Sequence, residues 1–236
     1  MAHPRSRTAK AGADAPTRDR IRSIAADLYV LRGHDGFSFG DIAAAIGTTR
    51  ANIHHHFGNK RQLMAELIDS FVVDAETRIA AHWSAPGKTF AGRLAANVAD
   101  LRRFYARFNG EAGARNVWSP ISRIRLDFPV LGDLAQRALE RVGGAYDASI
   151  RRAVDDAIAA GELRAGTPAA DVSRLVRATL LTCAPMTQDS GSFREVERVL
   201  SALGRTIVAA WGAEPGRAGP ARAPGPRARK GPPRRD

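Results

Sequence analysis

Cysteine is all but missing from this chain: Cys183 is the only one among 236 residues. No intramolecular disulfide can form and no thiolate set can hold zinc, which leaves Cys183 the reading of a small hydrophobe buried in a helix. Aromatic residues are scarce too, at 6%, and clusters of β-branched residues are few. Strands therefore have little to build from, while abundant alanine, leucine and arginine favour helices. No apolar run approaches the roughly 18 residues of a membrane span. The opening MAHPRSRTAKAGADAP has no apolar segment of the kind a secretory signal needs. The sequence also lacks a G-x-S-x-G elbow, a P-loop, a G-x-G-x-x-G turn and any pair with metal-ligand spacing. Its scattered acids, Asp155 and Asp156 among them, fall on helix faces suited to solvent. These absences lead to the expectation of an all-α, soluble, cytoplasmic protein that is not an enzyme and takes no metal or cofactor.

What is present is charge, unevenly spread. The formal net charge is +12, to which residues 1–20 contribute +3 and residues 213–236 contribute +5, leaving +4 for the stretch between. A local contact surface with charged arms fits that distribution better than a uniform coating of nucleic acid does. Residues 1–16 read as a disordered basic arm and residues 213–236 as a disordered Pro/Gly/Arg tail, since neither has the large apolar side chains that offset ordering entropy. The tail is either a solvated segment or an arm that speeds association with DNA.

Between the arms the apolar residues recur at helical spacing, first over residues 17–83. Thr17 caps a helix to about Arg32, with Ile21, Ile24, Ala25, Leu28 and Leu31 on one face. The segment SFGDIAAAIGTTRANIHHHF, residues 38–57, then reads as two short helices joined by a tight turn. Ser38 and Asp41 have the spacing of a capping box, and Gly47 supplies the left-handed residue that ends the first helix. Thr49 caps a second helix from Arg50 to His56, with Ile53 and Phe57 inward. Ser38, Thr48, Thr49, Arg50, Asn52, His54 and His55 are left for the outer side and the helix start. Such residues suit major-groove edges and phosphates. The three consecutive histidines diverge by about 100° each along a helix, so they do not converge on a metal. Asn59 caps a longer helix to about Trp83, and Lys60 and Arg61 at its start suit a phosphate clamp or a solvated face.

Residues 84–212 form a second helical module. A break at residues 84–88 precedes a helix with Leu94, Val98, Leu101, Tyr105 and Phe108 in one stripe. One long helix follows over about 131–160, with Gly143 and Gly144 a place for a kink. Thr167 and Pro168 read as N-cap and N1 of the next helix, Pro185 ends or kinks it, and Ser192 and Glu195 read as a second capping box. The helices within 168–186 and 193–211 carry apolar residues at i, i+3, i+4 and i+7, the pattern of a hairpin that pairs with a second copy across a two-fold axis. Tyr105, Phe108, Trp118, Tyr146, Cys183 and Met186 are either ordinary core or the lining of a small-molecule pocket. Arg115, Arg123 and Arg125 near Trp118 point to an acidic or acyl-type ligand, or else to a charged surface.

The segment IAAAIGTTRANIHHHFGNKRQLM resembles the helix-turn-helix of the tetracycline-repressor (TetR) family. Ile42, Ala43, Gly47, Thr49, Ile53, His56, Phe57, Lys60 and Leu63 fall in the family's register, as do Gly33, Phe37 and Ser38 upstream. The resemblance covers roughly residues 17–70. It implies an N-terminal three-helix DNA-binding domain, a C-terminal helical ligand-binding and dimerisation domain, and a homodimer on a double-stranded, palindromic DNA operator. It further implies release by an unknown small-molecule ligand, with repression as the usual outcome. His54 departs from the pattern, standing where the family usually has a tyrosine that touches a phosphate. An architectural protein that binds DNA non-specifically through basic arms is the alternative.

Overall fold

The computed structural model describes residues 7–110 and 115–213, with side chains from Thr17 onward. Every regular element among the described residues is a helix. In chain order they are α1 (Arg7–Arg32), α2 (Phe39–Ile46), α3 (Arg50–Phe57), α4 (Lys60–Trp83), α5 (Phe90–Phe108), α6 (Pro120–Leu126), α7 (Phe128–Leu131), α8 (Asp133–Ala159), α9 (Ala169–Leu181), α10 (Cys183–Ser190) and α11 (Arg194–Trp211). Among the described residues, strand-like pairing is confined to an isolated bridge between Leu163 and Gly212. None of these helices is long and apolar enough to cross a membrane.

Local signals set most boundaries. At α2, Ser38 Oγ accepts from the Asp41 N–H at 3.3 Å and the Asp41 carboxylate accepts from the Ser38 N–H at 2.7 Å. The Ser38 hydroxyl also donates to Asp41 Oδ2, and this bond first, then that from the Ser38 N–H, holds the Asp41 carboxyl below its usual range. Gly47 closes the helix at φ 70° and ψ 41°, a conformation that costs glycine nothing and other residues a clash. Asn59 and Gln62 close a second box at the start of α4. An apolar core then runs without interruption from Ile21 in α1 to Ile207 in α11. Trp83 at the end of α4 packs on Phe90 at the start of α5, ring centres 5.8 Å apart, so the turn at residues 84–88 does not divide the core.

Some boundaries and one buried face differ from what the sequence suggests. The expected disordered arm is helical from Arg7, because alanines and lysine there sustain α1 through Pro16; residues 1–6 lie outside the described residues. Leu31 is 44% exposed, and Tyr29 takes its place on the buried face. Thr167 turns its hydroxyl back to Arg164 O at 2.6 Å, which leaves Pro168 as the cap of α9. The Ser192–Glu195 box does not form, because Phe193 is drawn into a cluster with Tyr105 and Trp118 and itself occupies the cap. Elsewhere, the helix that holds Thr179 stops at Leu181, and Pro185 falls inside the separate α10. No break occurs at Gly143 and Gly144, which lie inside α8. The expected disordered tail falls, beyond Ala213, outside the described residues.

Candidate nucleic-acid interface

Helix α3 presents its polar residues because its other side is consumed by packing. Ile53 and Phe57 are buried, and the Arg18 guanidinium lies 4.3 Å over the Phe57 ring. Arg18 also donates to His56 O and, at 2.5 Å, to Glu66, which fastens the end of α3 to α1 and α4. Thr49 Oγ1 accepts from the Asn52 N–H at 3.2 Å, and Asn52 Nδ2 donates to Thr48 Oγ1 at 3.0 Å. The Asn52 amide is thereby fixed by one of its N–H groups. Arg50 is exposed and has no ion pair among the described residues; its stem runs beside Gly40, where a Cβ would stand 3.7 Å from Arg50 Cδ.

The histidines divide by environment. His54 is exposed, rests edge-on against Phe39 at 4.7 Å, and has Nδ1 2.7 Å from Gly58 O. A carbonyl only accepts, so Nδ1 carries a proton and the neutral ring turns an Nε2 lone pair outward. His55 is exposed, while His56 is half-buried and packs edge-on against His55.

Ser38 and Lys60 are occupied within the fold. The Ser38 hydroxyl lies 2.6 Å from Asp41 Oδ2 as well as capping α2. The Lys60 ammonium donates to His34 O and Phe37 O and sits 4.7 Å over the Phe37 ring. Its desolvation lowers its pKa despite Asp35, Asp41 and Asp127 nearby. Lys60 therefore clasps the loop between α1 and α2, and the exposed cation at the start of α4 is Arg61. Lys60→Ala is expected to destabilise the protein by about 2 kcal/mol, as charged hydrogen bonds do, while the salt dependence of DNA binding stays as it is. Denaturant unfolding and binding across salt concentrations check both halves.

Behind the reader, α4, α5, α6, α8, α9 and α10 enclose a cavity. Of the six suggested pocket residues it brings together Trp118, Tyr146 and Cys183. Burial pushes the Tyr146 phenol and the Cys183 thiol each up to about 12. Tyr105, Phe108 and Met186 are not in the lining; Tyr105 bonds to Asn116 instead and Phe108 packs edge-on against Phe104. The lining adds Arg78, Asn97, Asp100 and Phe104, which sequence reasoning passed over. Asn97 carried a signal, standing between Leu94 and Leu101 at helical spacing, a polar residue within an apolar stripe. Arg115, Arg123 and Arg125 do not line the cavity.

Residues 21–67 match the family described as bacterial regulatory proteins, tetR family. A TetR transcriptional regulator from Chloroflexus aurantiacus J-10-fl has a similar structure, with TM-score 0.69 and 25% identity over 85% of this chain and 98% of its own. A TetR-family regulator from Agrobacterium tumefaciens gives TM-score 0.68 at 21% identity over 84% and 99%. One from Cytophaga hutchinsonii gives 0.66 at 16% over 84% and 96%. No curated protein matches significantly by sequence. Residues 21–67 thus carry the DNA-binding domain of tetR-family regulators, and the chain as a whole shares the all-helical fold of TetR-family transcriptional regulators.

Proposed function

We propose that this regulator binds a palindromic operator as a homodimer, is released from it by a small ligand, and acts in the cytoplasm as a repressor. The observation that carries the reading is the division of α3, which buries Ile53 and Phe57 and leaves Arg50, His54 and His55 exposed. Thr48, Thr49 and Asn52 would join them at the DNA, with Arg61 on a phosphate where Lys60 is engaged elsewhere. Residues 17–83 would hold the reading head and residues 84–212 the ligand and dimer surfaces. On α9 and α11, Leu175 is 52% and Val208 43% exposed, apolar surface suited to a two-fold helix pairing. Such a dimer reads half-sites about 34–36 Å apart, or a multiple of that. Footprinting on the DNA upstream of the protein's own gene, with light scattering for the oligomeric state, tests the reading; protection without an inverted repeat would sink it. Deleting residues 1–6 and 214–236 separates it from the architectural alternative, which would lose nearly all affinity where a regulator loses part.

His54 would face a phosphate in this reading, its ring held by the contact of Nδ1 with Gly58 O. His54→Ala should weaken operator binding by about fivefold, near 1 kcal/mol, and His54→Tyr, which presents a hydroxyl donor from the same place, should keep it. Fluorescence anisotropy of labelled operator checks this; an unchanged affinity in His54→Ala would place His54 away from the DNA.

A further inference from the structure

Helix α3 has to be aimed as well as built, and little holds it in place. We propose that Arg18, on α1, is a positioning residue for operator reading. Anchored on Glu66 of α4, it sets the angle at which α3 meets DNA and touches no base itself. The inference rests on the reading of α3 given above. An isolated helix of eight residues is barely formed in water, so the surroundings of α3 decide where it points. Its buried side chains are Ile53 and Phe57, four residues apart on one face. Two such anchors do not stop a roll about the line that joins them, and a roll would carry Arg50 and His54 sideways. The turn from α2 holds the start of the helix; Arg18 supplies the tie at its end.

That tie has three parts. Arg18 donates to His56 O, one of the last-turn carbonyls that a helix leaves without an intrahelical partner. A cation at this end also complements the helix dipole. The guanidinium lies 4.3 Å over the Phe57 ring, and its other terminal nitrogen meets the Glu66 carboxylate at 2.5 Å. Glu66 stands on a helix fixed in the core by its neighbours Leu63 and Leu67. Only a planar fork of donors serves a carbonyl, a carboxylate and a ring face together. Both members of the pair are 40% exposed, and ion pairs so placed add little to stability. What they supply is geometry, because groups that read a partner act only when held to within about 0.5 Å by the groups behind them.

The test compares Arg18→Met, which keeps an unbranched stem against Phe57, with Glu66→Gln, both in the full-length protein. The probes are the duplex protected upstream of the protein's own gene and a random duplex, titrated by anisotropy across salt concentrations. Thermal melting shows that each variant is folded. The two substitutions change the net charge in opposite directions, so electrostatics alone would weaken binding to all DNA in the first and strengthen it in the second. Positioning gives both the same outcome. The ratio of operator to random-duplex affinity should fall about fivefold or more in Arg18→Met and about two- to threefold in Glu66→Gln. An unchanged ratio in either folded variant overturns the proposal. So does an equal loss on both duplexes in Arg18→Met with the salt slope lowered by about one, which would make Arg18 a phosphate contact. If one variant fails to fold, the ratio in the other decides. An unaltered protein without preference for the protected duplex overturns the operator reading and this inference with it. A preference that survives both substitutions removes the inference and leaves the reading standing.

Discussion

Replacing Arg50 or Asn52 by alanine is expected to weaken operator binding by about 1–3 kcal/mol each, roughly 5- to 150-fold, while random DNA is bound almost as before. The expectation follows from how each side chain is held. Arg50 stands exposed at the start of α3 without an ion pair among the described residues, so its guanidinium would break no ion pair there to meet a base edge. Asn52 is braced by Thr48 Oγ1, which fixes the amide and spares it the entropy of ordering on DNA. Thr48→Val should therefore weaken operator binding too, by less than Asn52→Ala, since it removes the brace and leaves the reading group. Anisotropy titrations on operator and random duplexes at one salt concentration supply the comparison. Equal losses on both duplexes would make Arg50 and Asn52 phosphate contacts, because backbone contacts carry no sequence information.

The reading head was legible in the sequence because its signals are local. Ser38, Gly47, Thr49 and Asn59 each act on residues within one helical turn, and the structure puts every one of them at the helix end its chemistry requires. What stayed hidden depends on partners far along the chain. Lys60 reads as a phosphate ligand from its position at a helix start, yet its ammonium is claimed by carbonyls 23 and 26 residues away. The same holds for the cavity. Trp118, Tyr146 and Cys183 stand out as residue types, but Arg78 and Asn97 matter only because α4 and α5 bring them into one wall. Phe193 shows tertiary packing overriding a local cap: its burial among aromatic rings sets how α11 begins, and the Ser192–Glu195 spacing goes unused.

Removing both Arg123 and Asp127 should disconnect ligand binding from DNA binding. Helix α6 touches both the cavity and the loop that leads into α2. Its first half supplies Pro120, Ile121 and Ser122 to the cavity wall. At its other end Arg123 Nε donates to Val30 O at 3.3 Å, and the Asp127 carboxylate accepts from the His34 N–H at 2.9 Å. Asp127 also lies beside Tyr29, whose phenol burial and that carboxylate push upward. Gly33 permits the close approach: a Cβ there would stand 3.3 Å from Arg123 and 3.4 Å from Asp127. The loop thus clasped is the one Lys60 also holds, and it leads directly into α2. A guest that shifts α6 therefore pulls on the frame that aims α3. In the unaltered protein the ratio of operator affinities without and with ligand should lie in the ordinary range of about 5 to 150. The Arg123→Ala/Asp127→Ala variant should bring that ratio close to one while ligand affinity of the DNA-free protein changes little. Linkage adds a second readout, since operator DNA must weaken ligand binding by the same factor in each protein. A ratio that survives the double substitution would route the coupling through α4 instead, which carries Arg78 in the cavity wall and runs about 36 Å from Lys60 to Trp83.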